Sequence, residues 1–208
     1  MTDLVFQARE GAPRRLIVLL HGVGSCARDM APIAQTLGDA LPDALLLVPD
    51  GFQPFDGGGT GRQWFSVSGV TPANRGARID AVLPGLLDWI EARRVEADVE
   101  PGAVSLFGFS QGSIMALAAS ARGAAFGAVV AVAGRLVDPV LAATPDSPRL
   151  LLLHGLADPV IPAVEGADAA RRLTDAGYAV EFRTETGHGH GVSPTQVRDA
   201  AAWFATTA

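Results

Sequence analysis

The sequence predicts an α/β domain with a mostly parallel central sheet and helices on both of its faces, and three observations carry that expectation. Short runs of Leu, Val and Ile recur along the chain; they are continuously apolar instead of alternating, as suits strands buried on both faces of a parallel sheet. Segments with helical spacing lie between them, and this alternation of strand and helix is the pattern of a doubly wound α/β domain. The 208 residues are enough for one compact domain with a sizeable core, spanning residues 1–208, and too few for two.

The expected strands are residues 16–20, 44–48, 103–107, 128–132, 150–153 and 178–183, with a further edge strand at 2–8. The expected helices are residues 29–41, 77–96, 113–122, 163–176 and 194–204. Pro84 falls inside the second of these, so that helix is expected to be kinked or divided there. The long irregular stretch, residues 50–74, contains three consecutive glycines together with Phe52, Phe55, Trp64 and Phe65. Loops of this length in compact domains tend to be functional. Trp64 and Phe65 are therefore candidates either for the wall of a substrate pocket or for pins that hold the loop on the core.

Composition excludes several function classes. The net charge of −6 comes without a basic stripe, so no nucleic-acid partner is expected. Every basic residue is Arg; without lysine there is no Schiff base, no pyridoxal phosphate attachment and no phosphate-binding lysine of a P-loop. Cys26 is the single cysteine, which rules out an intrachain disulfide and a cysteine metal cluster and fits a reducing, cytoplasmic setting. No secretory leader is expected from the first residues. The longest uncharged stretch, residues 102–121, is interrupted by Gly-Phe-Ser-Gln-Gly-Ser, which describes a buried strand and helix better than a membrane span.

That interruption carries the chemistry. Gly108-Phe109-Ser110-Gln111-Gly112 matches the nucleophile elbow G-x-S-x-G, and it lies between an expected strand and an expected helix, the setting the elbow requires. The glycines let strand and helix approach closely while the serine occupies a strained turn. A serine hydroxyl needs a base, and this architecture delivers the triad in the order Ser, acid, His. Four histidines exist. His21 and His154 end two similar strands, in Leu-Leu-His-Gly, and are read as structural imidazoles bonded to loop backbone. His188 and His190 share a glycine-rich loop before the last helix, and either could be the base by chain order.

Asp158 follows the expected strand at 150–153 directly, at the carboxyl end where open α/β sheets form their sites. A carboxylate there can bond the imidazole Nδ1 proton and stabilise the imidazolium; the bland alternative is an aspartate capping the helix after Pro159. Two N–H donors are needed for the oxyanion. One is the N–H of Gln111, and the other comes from the loop His21-Gly22-Val23-Gly24, where Val23 is the candidate.

Taken together, Leu-His-Gly-Val-Gly at 20–24, Arg-Gln-Trp-Phe at 62–65, Gly-Phe-Ser-Gln-Gly at 108–112, His-Gly-Leu-Ala-Asp-Pro-Val at 154–160 and Gly-His-Gly-Val-Ser-Pro at 189–194 make the chain resemble the phospholipase/carboxylesterase family, which includes carboxylesterases and acyl-protein thioesterases. The resemblance implies an α/β-hydrolase fold without a large cap domain, and a cofactor-free, metal-free enzyme acting on small-molecule esters or thioesters of small to medium acyl groups. It implies Ser110, Asp158 and His190 as triad, with Val23 and Gln111 as oxyanion donors, and it selects His190 over His188 because the family's histidine precedes a short stretch matched by Val192 and Ser193. One departure is Ser66, where the family commonly carries Asp after Trp-Phe, so that loop's contacts are not carried over. Three rival readings differ in class. A dienelactone-type hydrolase would usually carry cysteine where Ser110 stands, a non-enzymatic binding module would tolerate loss of a triad position, and a metal hydrolase using His188 and His190 would need a further ligand at proper spacing.

Overall fold

The computed structural model describes residues 3–206. In chain order its strands and α-helices are β1 (Asp3–Phe6), β2 (Arg15–Leu20), α1 (Ala31–Ala40), β3 (Ala44–Pro49), β4 (Gln53–Pro54), β5 (Arg62–Gln63), α2 (Pro72–Glu96), β6 (Val104–Phe109), α3 (Gln111–Ala121), β7 (Ala128–Val132), β8 (Arg149–Gly155), α4 (Ala163–Asp175), β9 (Val180–Glu185) and α5 (Pro194–Ala205). Seven strands form one sheet in the order β1-β3-β2-β6-β7-β8-β9. Only β1 runs antiparallel to its neighbour, and every other pairing in this sheet is parallel. Thr2 of the expected edge strand lies outside the described residues.

Side chains on successive strand residues point to opposite faces, and β2 shows why its run has no polar alternation. Leu16, Val18 and Leu20 pack on one face with Ile79, Leu83, Leu86 and Ile90 of α2 and with the apolar residues of α3. Ile17 and Leu19 pack on the other face with Ala34 and Leu37 of α1 and with Val197, Ala200 and Phe204 of α5. Both faces are dry, so both sets of positions must be apolar.

Two boundaries and the passage through Pro84 differ from the sequence expectation for identifiable reasons. Helix α2 begins at Pro72, ahead of the expected start, because Thr71 caps it reciprocally with Asn74 and Pro72 occupies the first turn, where a missing N–H costs nothing. It also continues through Pro84 as one helix; Pro84 stands on its exposed side. The last strand is Val180–Glu185, displaced toward the C-terminus, since Tyr178 is apolar for another purpose: it is buried, and its hydroxyl donates to Ser120 O at 2.8 Å. Among the described residues no helix is long and apolar enough to cross a membrane.

Strand β6 lies between β2 and β7, so its carboxyl end meets the loop after β2 on one side and the ends of β7 and β8 on the other. A residue placed at that end can therefore be reached from several loops at once. The longest segment crossing this edge is residues 50–71, pinned as the short β4–β5 hairpin and its flanks.

Candidate active site

At the end of β6 the backbone turns so sharply that Ser110 has φ 53° and ψ −114° before α3 begins at Gln111. A non-glycine residue at positive φ is strained and persists only where surroundings hold it. Here the Ser110 N–H donates to Val132 O at 3.0 Å, and Ser110 O accepts from Ile114 N–H at 3.0 Å. The flanking glycines are obligatory. A Cβ on Gly108 would lie 2.6 Å from Gly112 O, and one on Gly112 would run into the carbonyl of Leu20. The turn thus brings β2, β6 and α3 into backbone contact and leaves the serine side chain at the carboxyl end of the central strand.

Three side chains from separate elements meet there. Ser110 Oγ lies 2.9 Å from His190 Nε2, and His190 Nδ1 lies 2.7 Å from Asp158 Oδ2. The other carboxylate oxygen, Oδ1, accepts from the N–H groups of Val160 at 2.8 Å and Ile161 at 2.9 Å. The Asp158 side chain has no exposed surface. Burial disfavours its charge, but the hydrogen bonds from His190, Ile161 and Val160 outweigh that effect and hold its pKa below the ordinary carboxylate value. An ionised Asp158 can only accept, so His190 carries its proton on Nδ1 and presents Nε2 as acceptor to Ser110. Phe109 packs against the imidazole, with ring centroids 5.1 Å apart.

The two loop histidines separate cleanly. His190 reaches Ser110, whereas the carbonyl of His188 accepts from the Ala157 N–H at 2.9 Å and its Nε2 is buried with no partner among the described residues. His188 therefore ties its loop to the loop that carries Asp158. The strand-end histidines also bind loop backbone. His154 Nε2 lies 2.7 Å from Ile161 O. His21 Nδ1 lies 2.7 Å from Gly22 O while Nε2 accepts from the Gly51 N–H at 2.8 Å. Burial pushes the His21 pKa down, in keeping with a ring that must keep one nitrogen unprotonated.

Gly22 passes so close to the elbow that a Cβ on it would stand 3.2 Å from Ser110 Cβ, which puts the Val23 loop beside the serine. That loop is anchored by Gly24 N–H to Arg62 O at 2.8 Å and Arg62 N–H to Ser25 O at 2.7 Å. Among the described residues neither the Val23 N–H nor the Gln111 N–H has an acceptor within the chain. For Gln111 the reason is its place at the start of α3, where the first amides of a helix lack intrahelical partners.

Trp64 and Phe65 sit where a pin sits. Both are buried in the core, and the Trp64 Nε1–H donates to His21 O at 2.9 Å. Their burial favours loop anchoring, the second of the two roles expected for them. The side chain that holds them belongs to Gln111, for which the sequence suggests only a backbone role. Gln111 Oε1 accepts from Trp64 N–H and its Nε2 donates to Phe65 O, each at 2.8 Å. Asp56 likewise escapes a reading of the sequence. Its carboxylate accepts from Ser66 Oγ at 2.7 Å, Gln63 Nε2 at 2.8 Å and the N–H groups of Val67 and Ser68, and these bonds pull its pKa down to about 2. Ser66 itself is thus held by a carboxylate ten residues upstream. No local pattern announces either contact. Among the described residues no three His, Cys, Asp or Glu side chains cluster as a metal site.

Comparison with known proteins identifies the family. The profile of the phospholipase/carboxylesterase family matches residues 1–208. The chain is 35% identical over 190 residues to Esterase YpfH of Escherichia coli, covering 90% of this chain and 81% of that one. It is 25% identical to acyl-protein thioesterase 1 of Saccharomyces cerevisiae over 98% of this chain and 97% of that protein. Among solved structures, the esterase PE8 superposes with a TM-score of 0.90 at 27% identity, covering 100% of this chain and 99% of that one. A match along the whole sequence, a relative above 30% identity and a shared fold point the same way: the chain belongs to the phospholipase/carboxylesterase family of α/β hydrolases.

Proposed function

We propose that the protein hydrolyses carboxylic esters or thioesters of small to medium acyl groups through an acyl-enzyme on Ser110, with His190 as base and Asp158 as its orienting acid. The observation that carries this reading is the continuous chain of hydrogen-bond contacts from Ser110 Oγ through His190 to a buried, ionised Asp158. As Ser110 Oγ bonds to the acyl carbon, its proton passes to His190 Nε2, and the carbonyl oxygen takes up the negative charge. The N–H groups of Val23 and Gln111 receive that oxyanion; preorganised donors of this kind are worth about 3–4 kcal/mol each to the transition state. Collapse breaks the bond to the alkoxide or thiolate leaving group, which takes the proton from His190. Water then attacks the acyl carbon, giving a proton to His190; collapse breaks the bond to Ser110 Oγ, which takes that proton back from His190, and the carboxylic acid leaves. Asp158 stays ionised throughout and stabilises the imidazolium. Every proton transfer is handled by these side chains, with no cofactor.

The named relatives, an esterase and an acyl-protein thioesterase, support both oxygen and sulfur esters as the substrate class. A panel of 4-nitrophenyl esters and acyl thioesters of increasing chain length tests it. Turnover should fall off as the acyl chain lengthens and vanish in Ser110→Ala; turnover retained by a folded Ser110→Ala protein would refute the mechanism.

A further inference from the structure

On the carboxyl edge of the sheet, the edge that also carries the elbow, lies a surface cavity of about 370 Å³ lined by the first turns of α2, the segment after β7 and Glu165 of α4. Two arginines sixty residues apart in sequence, Arg75 and Arg135, both line it. In a chain of net charge −6 this is a local concentration of positive charge. Arg135 leaves the end of β7, three residues after the carbonyl that accepts the Ser110 N–H, so its segment is continuous with the elbow's support.

The charge in this cavity is undercompensated. Asp138 also lines it, but its carboxylate is paired with Arg172 and its carbonyl accepts from Arg122 at 2.9 Å. Glu165 alone faces the arginines, and its contact with Arg135 is loose, at 3.5 Å. Arg75 is half-buried, and its guanidinium makes no hydrogen bond or ion pair among the described residues. Burial, and after it the charge of Arg135, lower the Arg75 pKa, and the charge of Glu165 offsets this only in part. Guanidinium groups so arranged suit a carboxylate, whose two oxygens match the planar fork.

From the cavity and the arginine pair we infer that Arg75 and Arg135 form a subsite for a carboxylate carried by the ester substrate, so that the enzyme prefers monoesters of dicarboxylic acids or esters of carboxylate-bearing alcohols over their neutral counterparts. The inference rests on the proposed hydrolase reading and deepens it. Glu165 is the built-in competitor: it occupies Arg135 loosely and would be displaced when the substrate carboxylate arrives.

Two matched pairs test this. On the acyl side, mono-4-nitrophenyl glutarate is compared with 4-nitrophenyl pentanoate; on the alcohol side, 4-acetoxybenzoate is compared with 4-acetoxybenzamide. The quantity read is the ratio of kcat/KM for the charged over the neutral member, in which effects common to both substrates cancel. In at least one pair the ratio should fall by roughly tenfold or more in Arg75→Gln and in Arg135→Gln, the fold-change of one lost charge-assisted hydrogen bond. Glu165→Gln should raise it, an effect that a purely structural role for these residues would not produce. Ratios unchanged by both arginine substitutions in both pairs would overturn the subsite. If the wild-type protein turned over none of the four esters, the hydrolase reading would fail separately. Calorimetric titration with glutarate would then still decide the subsite, binding to wild type but not to Arg75→Gln upholding it and equal behaviour of the two refuting it.

Discussion

Gln111→Ala separates what a side chain does from what its backbone does at the same residue. The side chain closes two buried hydrogen bonds, to Trp64 N–H and to Phe65 O, at 2.8 Å each. Truncation leaves both backbone groups buried without partners, since Trp64 and Phe65 have almost no exposed surface. Each such orphan costs about 1–3 kcal/mol, so the loss should come to about 2–6 kcal/mol, with some relief if water enters. For a chain of this length each kcal/mol lowers Tm by about 2–4 °C, and we expect a fall of about 4–24 °C by scanning calorimetry. The Gln111 N–H is untouched by the substitution, so below its lower Tm the variant should keep a kcat far above that of Ser110→Ala. A Tm equal to that of wild type would refute the claim that this side chain clamps the Trp64–Phe65 loop.

Further consequences concern the loop histidines and the Asp56 carboxylate. His190→Ala should lower kcat on the order of 10⁴-fold or more, as loss of a triad base does. By steady-state kinetics, His188→Ala should cost less than about tenfold, or about 1.4 kcal/mol, because its bond to Ala157 runs through the backbone carbonyl; the opposite order would move the base to His188. Asp56 has a folded pKa of about 2, below the value of about 3.9 expected in the unfolded chain. Its stabilisation is therefore complete above the unfolded pKa and is lost as pH falls toward the folded one. The difference in urea midpoint between wild type and Asp56→Asn should accordingly be larger at pH 7 than near pH 2; an equal difference at both would contradict the hydrogen-bond network around Ser66.

Legibility in the sequence depends on whether the responsible contacts are local. The run from Leu16 to Leu20 reads as a strand because helices cover both faces, and that need for apolar residues is written into every position. The elbow is equally readable because its pattern spans five residues, with Gly108 held against Gly112, although Gly112 itself answers to the distant carbonyl of Leu20. Spacing cannot tell His188 and His190 apart, because the bend of their loop is set by Gly155 and Ala157, some thirty residues earlier. Trp64 and Phe65 resemble a pocket wall because nothing nearby reveals that Gln111, almost fifty residues on, fastens them inward. The start of β9 is misplaced for a similar reason: Tyr178 is apolar and buried to reach Ser120 on α3, not to pair in the sheet.

The central claim is that Ser110 is the nucleophile, activated by His190. Incubation with a fluorophosphonate, followed by peptide mass spectrometry, tests it most directly, since only an activated serine is phosphonylated readily. We predict one label per chain, on the peptide bearing Ser110, with labelling abolished in Ser110→Ala and greatly slowed in His190→Ala. A label on any other residue, or labelling at wild-type rate in His190→Ala, would contradict the account.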